Sequence, residues 1–309
     1  MRGRKGFAIG LAAVSCTLAF AACGGEKNVT VVAREQGSGT REAFDKVVTD
    51  GAHYLEEKDE KGNKVYHTTV AATIQTKTGA VMTSVASDKN AIGYISLGSV
   101  NEMVKIVEVD GVAPSAKTVL NGTYKIQRPF VIMTNANVTL TAKAADFMDY
   151  LYSLEMEKHA EEAGCIFVQD PSKRANEGEA EIAVGTYEKQ ESLPAGDKIV
   201  IRGSTSLESF INNAAKGYAD VYSVRASDVF DIQLEGSSVG RKAVEKDTKG
   251  NVIGLSSAAV RQQGVHSFNV CLDAVAVVVN KQNERVNNLT LKQLYNLFSG
   301  KITKFSELD

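Results

Sequence analysis

Four short segments of this chain repeat one design. They are "REQGSGTREAF" (Arg34 to Phe44), "RGSTSLESF" (Arg202 to Phe210), "EGSSVGRKAV" (Glu235 to Val244) and "IGLSSAAV" (Ile253 to Val260). In the first three, glycine and hydroxyl residues stand directly before a helical pattern, and strand-like apolar runs lead into the first two ("VVA", "IVI"). Strands alternating with helices through such turns imply an α/β fold with mainly parallel sheets. A helix start offers unpaired backbone N–H groups and the positive end of the dipole. Glycine lets the backbone come close, and serine or threonine adds an O–H donor. A single turn of this kind is equally an ordinary N-cap. Three in one chain, each with several hydroxyls, point to a shared oxyanion.

Along the chain, a helix is expected from Arg41 to Val48, a polar surface excursion from Gly51 to Lys64, a helix from Val70 to Ala86 and a strand over Ala91 to Leu97. A strand from Val104 to Val109 meets an Asp110-Gly111 turn. "YKIQRPFVIMT" (Tyr124 to Thr134) is a long extended run broken by Pro129, which suits an edge or crossing strand and marks a candidate hinge. Apolar spacing predicts a helix over Ala142 to Ala163, and Asp170 to Pro194 reads as a polar linker. The α/β pattern then restarts with Ile199 to Ile201 and a helix through Ala215. The continuously apolar Val275 to Val279 is a strand buried on both faces, and a helix from Thr290 stops at Gly300.

The first residues read as a leader. Arg2, Arg4 and Lys5 form a basic region, Phe7 to Phe20 an apolar one, and "AACGG" a small-residue site ending in cysteine. This is the pattern of a bacterial lipoprotein signal over residues 1–22, with Cys23 as the lipidated N-terminus and 23–30 as spacer; an ordinary signal peptide cut nearby is the alternative. Both place the protein outside the cytoplasm, the first anchored to the cell membrane by lipid. Cys165 and Cys271 remain; they could pair, or be two buried thiols. The four histidines have no metal-ligand spacing among themselves or with cysteine, so no metal site is expected. With 35 basic and 37 acidic residues the chain has no broad footprint for nucleic acid, so an anion must be bound locally.

The turns match no nucleotide-binding or hydrolytic motif. A P-loop needs a lysine that neither Gly39-Thr40-Arg41 nor Gly203-Ser204-Thr205 supplies, and a dinucleotide fingerprint needs three spaced glycines after a strand. Gly37-Ser38-Gly39 is not a nucleophile elbow. What remains is a cage of hydroxyls and N–H groups with one cation, Arg34, whose planar fork suits a tetrahedral oxyanion. The competing reading of Arg34 is a surface arginine paired with Glu35. The cage implies binding without chemistry and no cofactor.

"VVAREQGSGTREAF", "AIGYISL", "YKIQRPFVIMT", "IVIRGSTSLESF", "LDAVAVVVN" and "NLTLKQLYNLFSGKITKFSEL" together resemble the signature segments of the phosphate-binding lipoproteins of high-affinity phosphate ABC transporters. The resemblance covers nearly the whole chain beyond the leader. It implies a two-lobed, type II periplasmic-binding-protein-like fold with the ligand in the interlobe cleft. The function it implies is capture of inorganic phosphate for a membrane permease, by a monomer. Sulfate or molybdate is the alternative anion, and an extracellular phosphohydrolase or phosphate sensor the alternative activity. The segment order resembles a circular permutation of the family's, in which the Gly-Ser-Thr turn comes first. One lobe would then combine 27–123 with 274–309, and the other would be 124–273. By resemblance, the phosphate site comprises Arg34, Ser38, Gly39, Thr40, Thr205, Ser206 and Ser237. At Ser257 some family members carry an aspartate that accepts the phosphate proton, and others an arginine. Asp273 is the candidate replacement acceptor, with Glu35 and Glu42 as further candidates; a strand-end carboxylate capping a loop is its other reading.

Overall fold

A computed structural model describes residues 27–175 and 180–308; the expected leader and the Cys23 lipidation site lie outside them. In chain order the strands are β1 (Thr30–Arg34), β2 (Glu56–Lys58), β3 (Lys64–Tyr66), β4 (Thr73–Gln75), β5 (Ala91–Ser96), β6 (Val104–Val109) and β7 (Gln127–Asn135). They continue with β8 (Ile166–Phe167), β9 (Ile199–Gly203), β10 (Phe230–Leu234), β11 (Val252–Ser256), β12 (Val265–Asn280) and β13 (Asn288–Leu289). One curled sheet runs β10-β9-β11-β7-β12-β5-β1-β4, with β6, β8 and β13 attached off this path.

Each end of that sheet is parallel: β10-β9-β11 on one side and β5-β1-β4 on the other. Antiparallel pairing enters where β7 and β12 cross between them. β12 is 16 residues long. Its residues 265–274 pair with β7, and 275–280 pair with β5 and β6. This explains the unbroken apolar run. Val275, Val277 and Val279 face a core containing Phe44, Tyr94 and Phe298, while Ala276 and Val278 face a second one with Val81 and Val85. β7 repeats the pattern, sending Phe130 and Ile132 into one core and Val131 and Met133 into another. Pairing of β7 with β11 stops at Val131, so Pro129 sits beyond the point where β7 is flanked on both sides.

Several elements differ from expectation. Of the expected 70–86 helix only the part from Thr78 on is helical, in a helix Thr78–Ser87; the β-branched stretch before it forms β4 against β1. The expected 142–163 helix breaks at Ser153, whose Oγ donates to the Tyr150 carbonyl, into Ala142–Tyr152 and Met156–Glu162. The helix after β9 runs past Ala215 to Val221. The polar 170–194 stretch is pinned at isolated points that carry no period. Arg174 is fully buried against the rings of Tyr152, Phe167 and Phe268, and Tyr187 donates to Asp146 at 2.9 Å. The last long helix, Leu291–Ser299, has a Thr290/Gln293 capping box and ends on Gly300 at φ 79°, as its sequence requires. Cys165 and Cys271 are buried free thiols. Among the described residues no helix is long and apolar enough to cross a membrane.

Candidate functional site

The first wall of the site is the turn after β1. Gly37, at φ 90°, reverses the chain, and Ser38 caps the Gly39–Asp45 helix by accepting from the Arg41 N–H. Phe44 anchors this helix by stacking on Tyr94 at 4.1 Å, and the Tyr94 hydroxyl in turn accepts the Arg34 N–H. The Arg34 guanidinium is 2% exposed. Its Nε and Nη2 grip Glu35 at 2.9 and 3.1 Å, Nη2 also reaches the Thr76 carbonyl, and Nη1 donates to Thr78 Oγ1 at 3.3 Å. Arg41 ties the turn from behind, donating to the Arg34 carbonyl at 3.0 Å and to Asp45 at 2.9 Å. Burial raises the Asp45 carboxyl to about 6, against the pull of the Arg41 charge.

The second wall comes from three loops. β9 ends on Gly203 and passes through Ser204, Thr205 and Ser206 into Glu208–Val221. Gly236, at φ 132°, opens the Ser237–Glu245 helix, and β11 ends at Ser256-Ser257. Its hydroxyls interlock: Ser204 Oγ donates to Ser257 Oγ at 2.8 Å, and Ser237 Oγ lies 3.3 Å from Ser257 Oγ while accepting the Ser257 N–H at 3.1 Å.

The two walls meet. Thr40 Oγ1 lies 3.0 Å from Ser206 Oγ, and Thr78 Oγ1 lies 3.1 Å from Thr205 Oγ1. Glycine is required where they touch: a Cβ on Gly39 would stand 2.5 Å from Ser257 Oγ and 2.6 Å from its carbonyl carbon. Arg34, Ser38, Gly39, Thr40, Thr205, Ser206, Ser237 and Ser257 thus form one buried group. Asp273 stands apart. Its Oδ2 accepts from Arg128 Nη2 and Nε at 2.8 and 3.0 Å, across the β7–β12 ladder, and no cage hydroxyl bonds to it. Burial raises its carboxyl above the usual range, opposed by Arg128. Its Oδ2 is half of a buried ion pair, and its Oδ1 is buried without a hydrogen-bond partner.

Sequence reasoning missed Thr78 and Ser204. Thr78 fell inside an expected helix, although its place in "TKTG" just before a helical stretch resembles the other turns. Ser204 stood in the "GSTS" motif beside two residues that were chosen. Among the described residues no hydroxyl of the group is bonded to a histidine or a carboxylate, so none of these supplies an activating base. The arrangement provides neutral donors around one arginine fork, which suits a compact oxyanion.

Known proteins share this arrangement of sequence and fold. A model of the PBP superfamily domain matches residues 20–155 and 188–309. The phosphate-binding protein PstS 2 of Streptococcus agalactiae serotype V is 35% identical over 285 residues, 91% of this chain and 87% of that protein. The phosphate-binding protein PstS of Bacillus subtilis is 31% identical over 136 residues, 44% of this chain and 40% of its own. The crystal structure of a phosphate ABC transporter phosphate-binding protein from Streptococcus pneumoniae TIGR4 superposes with a TM-score of 0.63 at 32% identity, over 91% of this chain and 100% of that one.

Proposed function

Since the chain belongs to the PBP superfamily and, within it, to the PstS-type phosphate-binding proteins, we propose that it captures inorganic phosphate outside the cytoplasm and delivers it to the permease of an ABC importer. The observation that carries this reading is the meeting of two hydroxyl-lined walls around the Arg34 fork. Arg34 supplies the charge, and Ser38, Gly39, Thr40, Thr205, Ser206, Ser237 and Ser257 supply O–H and N–H donors. Thr78 and Ser204 join them. Phosphate favours the closed form because both walls donate to it only there. Binding without turnover follows from hydroxyls that lack a base. Glu35, although both its oxygens accept from Arg34, is the carboxylate that stands at the cage, and it is the candidate to accept a phosphate proton; its Oε1 lies 3.3 Å from where a Cβ on Gly236, in the opposite wall, would stand.

Further parts of the reading concern the whole chain. Cys23 carries lipid that holds the protein, as a monomer, at the outer membrane face. The lobes are 27–123 with 274–309 and 124–273, a division supported by one core drawn wholly from 124–273 and another drawn from the first two stretches apart from Tyr124 and Ile126 at the boundary. The segment order is a circular permutation of the family's. Its support is the family match in two stretches and the Val29 N–H donating to the Thr303 carbonyl at 2.7 Å, which brings the two ends of the described chain together. Calorimetric titration with phosphate, with sulfate, arsenate and molybdate as competitors, tests the central claim. Phosphate binding in the micromolar range or tighter is expected; none tighter than millimolar overturns it.

A further inference from the structure

A second cavity, of about 690 Å³, opens between the two sides of the molecule, and none of the cage residues lines it. The helix after the first turn contributes Glu42 and Lys46, the helix after the third contributes Arg241, the loop beyond Ser257 contributes Arg261, and β7 contributes Arg128. Glu42 is the one carboxylate in this lining, and Lys46 engages it one helical turn away. Val47, Pro129 and Val260 give the cavity an apolar side.

Arg128 is 3% exposed. Its Nε and Nη2 are taken by Asp273, but Nη1 is buried without a hydrogen-bond partner. A buried donor left unpaired costs free energy that an acceptor recovers. The size of the cavity separates two kinds of occupant. A bare tetrahedral ion would fill a small fraction of it, whereas cavities of roughly 300–1,000 Å³ accept small organic molecules.

We propose that this cavity is a second anion site, separate from the hydroxyl cage, which takes a small organic anion with a phosphate or carboxylate head on Arg241 and Arg128, whose side chain shifts to bring the unpaired Nη1 to it, and its apolar body against Val47, Pro129 and Val260. The site does not depend on what fills the cage. Calorimetry with phenyl phosphate and, separately, with benzoate tests it on the protein held in saturating inorganic phosphate. At least one probe is expected to bind at one equivalent with submillimolar affinity, and the preferred probe identifies the head group. Arg241→Gln is expected to weaken that binding about tenfold while leaving phosphate affinity unchanged. Arg128→Lys, which keeps a cation for Asp273 but removes the spare N–H, should weaken it as well. The proposal is overturned if neither probe titrates, if inorganic phosphate displaces both, or if Arg241→Gln leaves their binding intact. Loss of phosphate binding with retention of probe binding would instead count against the phosphate reading alone.

Discussion

The wall formed by the Arg34–Asp45 turn and the wall formed by the Ser204, Ser237 and Ser257 loops carry the same kinds of hydroxyl but opposite electrostatic habits. The first contains the ion pairs Arg34–Glu35 and Arg41–Asp45, each at 2.9 Å, with both arginines nearly out of water. In the second, Ser204, Thr205, Ser206, Ser237, Ser256 and Ser257 are all buried and none is charged. Removing an ionised group from water costs far more than removing a hydroxyl, so a buried cation needs partners, and in the first wall carboxylates supply them. Confining charge to one wall lets the other approach it without repulsion. In the phosphate site proposed above, the charged wall is assigned the attraction for the anion and the neutral wall the fit.

The comparison can be broken most severely at Arg34. Arg34→Ala removes the cation and leaves Glu35 facing the anion unpaired. Phosphate affinity should fall by about 2–5 kcal/mol, a loss of some thirty- to several-thousandfold measurable by calorimetry. A loss under tenfold would mean that the neutral wall carries the binding.

Gly39→Ala acts on fit with charge left in place. The new methyl meets the Ser257 backbone, so the walls cannot reach their present separation. An overpacking cost of about 1–3 kcal/mol predicts a phosphate affinity weaker by about five- to 150-fold. Small-angle scattering should show a more open form, while the melting cooperativity of the protein is retained.

Asp45→Asn should leave phosphate affinity almost untouched and show itself in stability against pH. Burial pushes the Asp45 carboxyl up to about 6 from its ordinary 3.8, so the folded form takes up the proton first as pH falls. Ionised Asp45 is therefore a cost to the fold above that window and a vanishing one below it. Relative to Asp45→Asn, the wild type should gain stability as pH is lowered from 6 to 4, with a slope of at most about 1.4 kcal/mol per pH unit. Denaturant melts across that range check it; a constant difference would show that Arg41 already holds Asp45 ionised.

Much of the fold was legible because its signals are local. The Thr290/Gln293 box and Gly300 mark a helix by rules that act within a single turn. Val275 to Val279 announced burial on both faces without naming either core. The stretch from Val70 to Thr76 was misread because scattered threonines fit helix and strand alike, and pairing with β1 decided the matter. Arg174 and Tyr187 were invisible in a polar stretch since a single anchoring side chain has no periodicity.

The same boundary runs through the site. The sequence by itself determined which turns present donors, that Arg34 is the cation beside the first of them, and that no hydrolytic motif accompanies them. Those properties reside in a few adjacent residues. Tertiary structure decided which groups face one another: Thr78 with Thr205 across 127 residues, and Asp273 with Arg128 across 145. It also set Gly39 against Ser257. These contacts depend on the register of β7 and β12, which carry the chain between the walls, and register is a property of paired strands that neither strand contains alone.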